Sequence, residues 1–175
     1  MTIPADNLAK AVGREAAAEL DGGLRKIEHC LRQLTEPQLS WRPAESMNSI
    51  GILTIHLCGN VRQWIVSGVG GSEDTRNRPQ EFADPGLISK DEIAGRLDAV
   101  VTDAKDVLSR VTADDLMQSC RIQGFDVTKL QAVIESVAHF RGHSQEIVHL
   151  TRYQLGDSYQ FAFVPGTPEQ GASVD

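Results

Sequence analysis

With 175 residues the chain has room for one domain with a substantial core and little room for two. Its 17 Lys plus Arg against 24 Asp plus Glu give a net charge of −7, a poor match for a phosphate backbone or anionic lipid, so a nucleic-acid partner is not expected. No apolar run reaches membrane-spanning length, since the richest stretch, 50–69, is interrupted by His56, Asn60, Arg62 and Gln63.

Residues 1–10 lack the basic-then-apolar pattern of a signal peptide. The three cysteines, Cys30, Cys58 and Cys120, are scattered and form no CxxC. They read as small core residues in a reducing, cytoplasmic setting. Helical periodicity dominates the chain. Leu20, Leu24, Ile27, Leu31 and Leu34 make a bundle stripe, which Thr35-Glu36-Pro37 stops because proline cannot continue a helix. After a loop carrying Trp41-Arg42-Pro43, Asn48 or Ser49 caps a second helix running to the Gly68, Gly70 and Gly71 cluster. The charged, turn-rich segment 72–86 reads as a loop.

Ser89 and Glu92 suggest a capping box for a third helix, whose stripe is Ile93, Leu97, Val100, Ala104, Leu108 and Val111. Segments 119–122 and 125–127, separated by Gln123-Gly124, read as a short hairpin. Thr128 and Gln131 then cap a fourth helix with Val133, Val137, Phe140, Ser144, Ile147 and Thr151 along one side. The expectation is an all-α four-helix bundle with a hairpin before the last long helix, spanning 1–155, and an irregular tail over 156–175 that lies on the surface.

The fourth helix carries His139 and His143, one turn apart and therefore stacked on one face. At about 100° per residue, His143 falls near 40° from His139 and Glu146 near −20°. The second helix repeats this layout with His56, Asn60 and Gln63 on one polar ridge. Apolar residues flank that ridge on both sides, which predicts cover on both, one side by the core and the other by a partner subunit. Neutral imidazoles so arranged suit a divalent transition metal, with His56, His139 and His143 as ligands. A lone histidine is more often a hydrogen-bonded core residue, and ordinary bundle histidines remain the plain alternative.

The motif differs from the zinc-protease HExxH, because Phe140 stands where that motif's base would be. Glu146 is open to four roles: fourth ligand, acceptor for an imidazole N–H, general base, or a solvated residue paired with Arg152. Asn60 and Gln63 are candidates to orient groups or shuttle protons. His29 and His149 fit worse, and Arg62 and Arg141 point away from the face. Three imidazoles suit Zn, Ni, Fe or Mn, and leave a coordination position for water or substrate.

These residues resemble the DinB/YfiT-like superfamily of metal-binding four-helix bundles. The similar segments are Trp41-Arg42-Pro43, Met47-Asn48-Ser49-Ile50-Gly51, the run from His56 to Ile65, Gln123-Gly124-Phe125-Asp126-Val127-Thr128 and His139-Phe140-Arg141-Gly142-His143. The similarity covers about residues 9–153. Ser144-Gln145 departs from the superfamily's commoner Gly-Gln without touching the histidines. The resemblance implies an up-down-down-up bundle, frequently homodimeric, holding a divalent metal on His56, His139 and His143. It also implies small-molecule chemistry, with a low-molecular-weight thiol such as bacillithiol, mycothiol or glutathione as co-substrate of a transferase. The alternatives are a metal-dependent hydrolase and a non-catalytic, stress-associated dimer.

Overall fold

A computed structural model describes residues 4–83 and 89–162. Four long helical stretches make the bundle. They are α1 (Ala5–Gln33), α3 (Ile50–Val61) with its π-helical continuation Arg62–Val69, α5 (Lys90–Leu108) and α7 (Lys129–Leu155). Between them lie the one-turn helices α2 (Glu36–Ser40), α4 (Arg78–Phe82) and α6 (Ala113–Met117), and the antiparallel pair β1 (Ser119–Ile122) and β2 (Phe125–Thr128).

The predicted stripes all face inward. Leu20, Ile27, Leu31 and Leu34 of the first stripe, and Leu97, Val100, Ala104 and Leu108 of the third, are buried in one continuous core with Phe140 and Ile147. Helix α1 packs on α5 and α7, and α3 packs on the same two. Helices α1 and α3 therefore sit on opposite corners, as do α5 and α7. Consecutive long helices 1–2 and 3–4 are not neighbours, unlike in a simple up-and-down bundle. The links that cross the bundle end hold α2 in one case, and α6 with the hairpin in the other.

Local chemistry places the boundaries. Ser49 accepts from the Ile52 N–H and Thr128 from the Gln131 N–H, as N-caps do. Ser89 likewise accepts from the Glu92 N–H, but the Glu92 carboxylate turns to Arg96, so only half of the expected capping box forms. Pro37 both ends α1 and sits in the first turn of α2, where its missing N–H costs nothing. The hairpin turns at Gln123 (φ 53) and Gly124 (φ 86), the two left-handed positions that a tight two-residue connection demands.

Residues 72–83 of the predicted loop are more than a loop. Asn77 accepts from the Gln80 N–H and, with proline in the first turn, starts α4, which delivers the buried Glu81. This chain itself covers much of both flanks of α3: Ile52 is 2% and Val66 6% exposed. Ile55 of the same flank stays half-buried. Of the tail, Gly156–Ser158 forms a 3₁₀ turn, and Gln160 returns to α1, where its N–H donates to Gln33 Oε1 at 2.7 Å. Residues 84–88 and 163–175, where parts of the predicted loop and tail fall, lie outside the described residues.

Candidate metal centre

Because α3 and α7 are neighbours, their histidine faces meet. His56, His139 and His143 each offer a ring nitrogen, and these atoms all lie within 4.8 Å of one another. Nε2 of His56 stands 2.9 Å from Nε2 of His139. The His143 ring is edge-on to both, at centroid distances of 4.5 Å from His139 and 5.5 Å from His56. Two nitrogens on one tetrahedral zinc-like ion stand roughly 3.3 Å apart, a spacing that falls between the 2.9 Å of this pair and the 4.8 Å limit of the cluster. The cluster is compatible with a metal ion.

The far sides of two rings are held by carboxylates. His56 Nδ1–H donates to Glu81 Oε2 at 2.9 Å, and His143 Nδ1–H donates to Glu146 Oε2 at 2.7 Å. A carboxylate accepts only, so each bond puts the proton on Nδ1 and leaves the Nε2 lone pair facing the cluster. This is the arrangement by which metal-binding histidines are usually oriented. Electrostatics point the same way. Burial pulls His139 down to about 4, helped by nearby His143, His56, Arg76 and Arg78. Burial also lowers His56, against the opposing pull of Glu81. Both imidazoles are neutral at pH 7, as ligands must be.

Glu146, left with several roles by the sequence, bonds His143 rather than Arg152, whose guanidinium covers the rings of Tyr159 and Phe161. Asn60 is buried beside the cluster, and its Oδ1 accepts from Ser136 Oγ at 3.0 Å, tying α3 to α7. Gln63 sits one layer further out. Its Oε1 accepts from Arg76 Nη1 at 2.8 Å and from Gln123 Nε2 at 2.6 Å, and its Nε2 donates to Asp74 at 2.8 Å. His29 donates to the Gln160 carbonyl and His149 is exposed, so neither joins the cluster. Arg62 pairs with Asp103 and Arg141 with Glu19 at the surface, away from the face as the helical wheel requires.

Glu81, Arg76 and Ser136 are site residues that the sequence patterns do not single out. Two signals did exist: the Asn77-Arg78-Pro79 helix start inside a polar segment, and Gly59 in mid-helix, which marks close approach of another group.

The fold is shared by solved structures. A conserved protein from Enterococcus faecalis superposes with TM-score 0.69 at 19% identity, covering 82% of this chain and 96% of that one. A DinB-like protein from Bacillus subtilis gives 0.64 at 13%, covering 85% and 96%. Another DinB-like protein, from Bacillus cereus, gives 0.60 at 22%, covering 83% and 90%. The DinB-like bundle implied by the sequence resemblance is therefore the fold observed. No curated protein matches the chain. By a family match across residues 8–167, the chain belongs to the family described as protein of unknown function, DUF1572.

Proposed function

We propose that His56, His139 and His143 hold one divalent transition metal, and that the centre serves attack by a low-molecular-weight thiol on a small electrophile, an S-transferase-like reaction. The observation that carries this reading is the convergence of three ring nitrogens within 4.8 Å. Among the described residues no fourth side chain joins that cluster, and Glu146 is engaged with His143 Nδ1. This favours an open coordination position over a closed structural site. Zn, Ni, Fe and Mn all suit three imidazoles. When bound, such an ion lowers the pKa of a thiol or water and polarises a carbonyl.

The chain's own residues supply orientation. Glu146 fixes the His143 ring, Asn60 locks α3 to α7 beside the cluster, and Gln63 holds Arg76. The proposed thiol is an external one; the chain's own Cys58 is a poor nucleophile, since burial pushes its thiol up to about 12. The reading includes a cytoplasmic location, supported by three unpaired cysteines, and a homodimer, supported only by the family resemblance. In the described residues no helix is long and apolar enough to cross a membrane.

Metal analysis of purified protein tests the first part. About one equivalent is expected per chain, lost in His143→Ala; full retention in that variant removes His143 from the site. A screen pairing small thiols with electrophiles, with and without chelator, tests the second. Chelator-sensitive turnover that needs no thiol identifies a hydrolase instead, and no turnover with a tightly held metal leaves a non-catalytic bundle. Light scattering on the eluting protein reads the oligomeric state.

A further inference from the structure

His56 is gripped from behind by a segment that brings no metal ligand of its own. Glu81 Oε2 accepts from His56 Nδ1 at 2.9 Å and from Arg76 Nη2 at 2.8 Å, while Oε1 accepts from Arg76 Nε at 2.6 Å. The side chains of Arg76 and Glu81 are 2% and 8% exposed. Arg76 Nη2 also lies 3.3 Å from His56 Nδ1, but both are donors and share Oε2 rather than bond each other. Phe82 packs on the same imidazole at 5.0 Å between centroids. The carboxylate needs a gap in α3 to come this close. A Cβ on Gly59 would collide with Glu81 Oε1 and stand 3.0 Å from Arg76 Nε. Asp74 anchors the start of the segment, accepting from the Arg76 N–H at 3.1 Å and from Gln63.

We infer that Glu81, clamped by Arg76 and admitted by Gly59, is a positioning residue that fixes the tautomer and rotation of His56, making segment 74–82 a working part of the centre. An acceptor-only group at Nδ1 leaves one choice for the imidazole proton, so the Nε2 lone pair is aimed at the cluster before any ion arrives. Arg76 is a positioning residue at one remove, since its fork holds both carboxylate oxygens in place. A buried ion pair is weak evidence of a stabilising role and is often replaced by apolar residues without loss, so its placement against a ligand-type histidine is what calls for explanation.

The affinity arm of the test rests on the metal reading; the tautomer arm does not. Two variants are made: Arg76→Met/Glu81→Met, which removes the pair without stranding a charge, and Gly59→Ala, which keeps both charges but displaces the carboxylate. Nitrogen-15 correlation spectra of the metal-free proteins at pH 8 are expected to show His56 protonated on Nδ1 in the parent and shifted towards Nε2–H in both variants. Cobalt(II) affinity, by competition with a chelator, is expected to fall about 10- to 100-fold, with an altered visible spectrum. Lower melting temperatures with parental tautomer, spectrum and affinity would overturn the inference and leave the pair purely structural. A parent that binds no cobalt sinks the metal reading instead, and the tautomer spectra then decide the inference alone. Should the double variant fail to fold, Gly59→Ala carries both arms.

Discussion

Cys58 lies two residues beyond His56, and a sulfur so close in sequence to a candidate ligand invites suspicion. Its helical position turns it away from the cluster, which among the described residues gathers the three histidines without it, and burial pushes the free thiol up to about 12, which makes it a poor nucleophile at neutral pH. Cys58→Ala is accordingly expected to keep its full metal content, checked by elemental analysis of chelator-washed protein; loss of the ion would place sulfur in the centre. Asn60 behaves differently, because its partner is fully inside. Ser136 is 1% exposed and its hydroxyl is the donor to Asn60 Oδ1. Ser136→Ala leaves that buried acceptor unmatched and is expected to cost about 1–3 kcal/mol in urea unfolding. A change under a few tenths would mean that Asn60 finds another donor.

Two glycines show how α1 and α7 set the site. A Cβ at Gly23 would stand 2.5 Å from Phe140 Cε1 and 2.8 Å from Ser144 Oγ, so α1 approaches α7 through that gap. Phe140 lies between the two histidines of α7 in sequence. Gly23→Ala is expected to cost roughly 1–3 kcal/mol by overpacking and to weaken metal binding by moving α7. Gly142, exposed with nothing within 4 Å of its would-be Cβ, is the counter-case: Gly142→Ala is expected to stabilise by about 0.5–1 kcal/mol and leave metal affinity alone. Thermal melts and metal titrations of the pair separate the two effects.

The same elements show what could be read beforehand. The four stripes, the Gln123-Gly124 turn, the shared face of His139 with His143 and the polar ridge of His56 follow from local rules, namely 3.6-residue periodicity and turn chemistry, whereas the meeting of the two faces is implied by the family resemblance and rests on α3 packing against α7. The Glu81 support does not follow from them, because it joins residues 25 apart, and the Asn77-Arg78-Pro79 helix start and Gly59 mark a turn and a close approach without saying which groups meet. Nor does periodicity reveal the π-helical stretch Arg62–Val69, since nothing in its residue types distinguishes an i→i+5 turn from an i→i+4 turn. The cover on the outer flank of α3 escapes the sequence for a related reason: two apolar sides say that cover exists, not which element provides it.

For the molecule as a whole, the lowered His139 and His56 couple folding to pH. An unfolded chain protonates its histidines near the ordinary 6.5, whereas folded His139 holds out to about 4. Between those values the unfolded chain binds more protons, so acidification favours it and stability falls as pH drops through the window. Above about 6.5 both states carry the neutral ring and this contribution is flat. His56 is lowered in the same direction and adds to the slope. The melting temperature of chelator-treated protein is therefore expected to decline from pH 6.5 towards 4, more gently in His139→Ala, which lacks one of the contributing groups. Equal slopes in parent and variant would mean that His139 takes up its proton as readily folded as unfolded. Metal sharpens the same dependence. An ion that binds only the folded state stabilises by about 2.7 kcal/mol when free at a hundred times Kd. Protons compete for the same nitrogens, so the gap between metal-loaded and metal-free melting temperatures is expected to close as pH falls towards 4. A gap that stays constant across that range would place the ion on groups that do not titrate there, and the three imidazoles would no longer account for it.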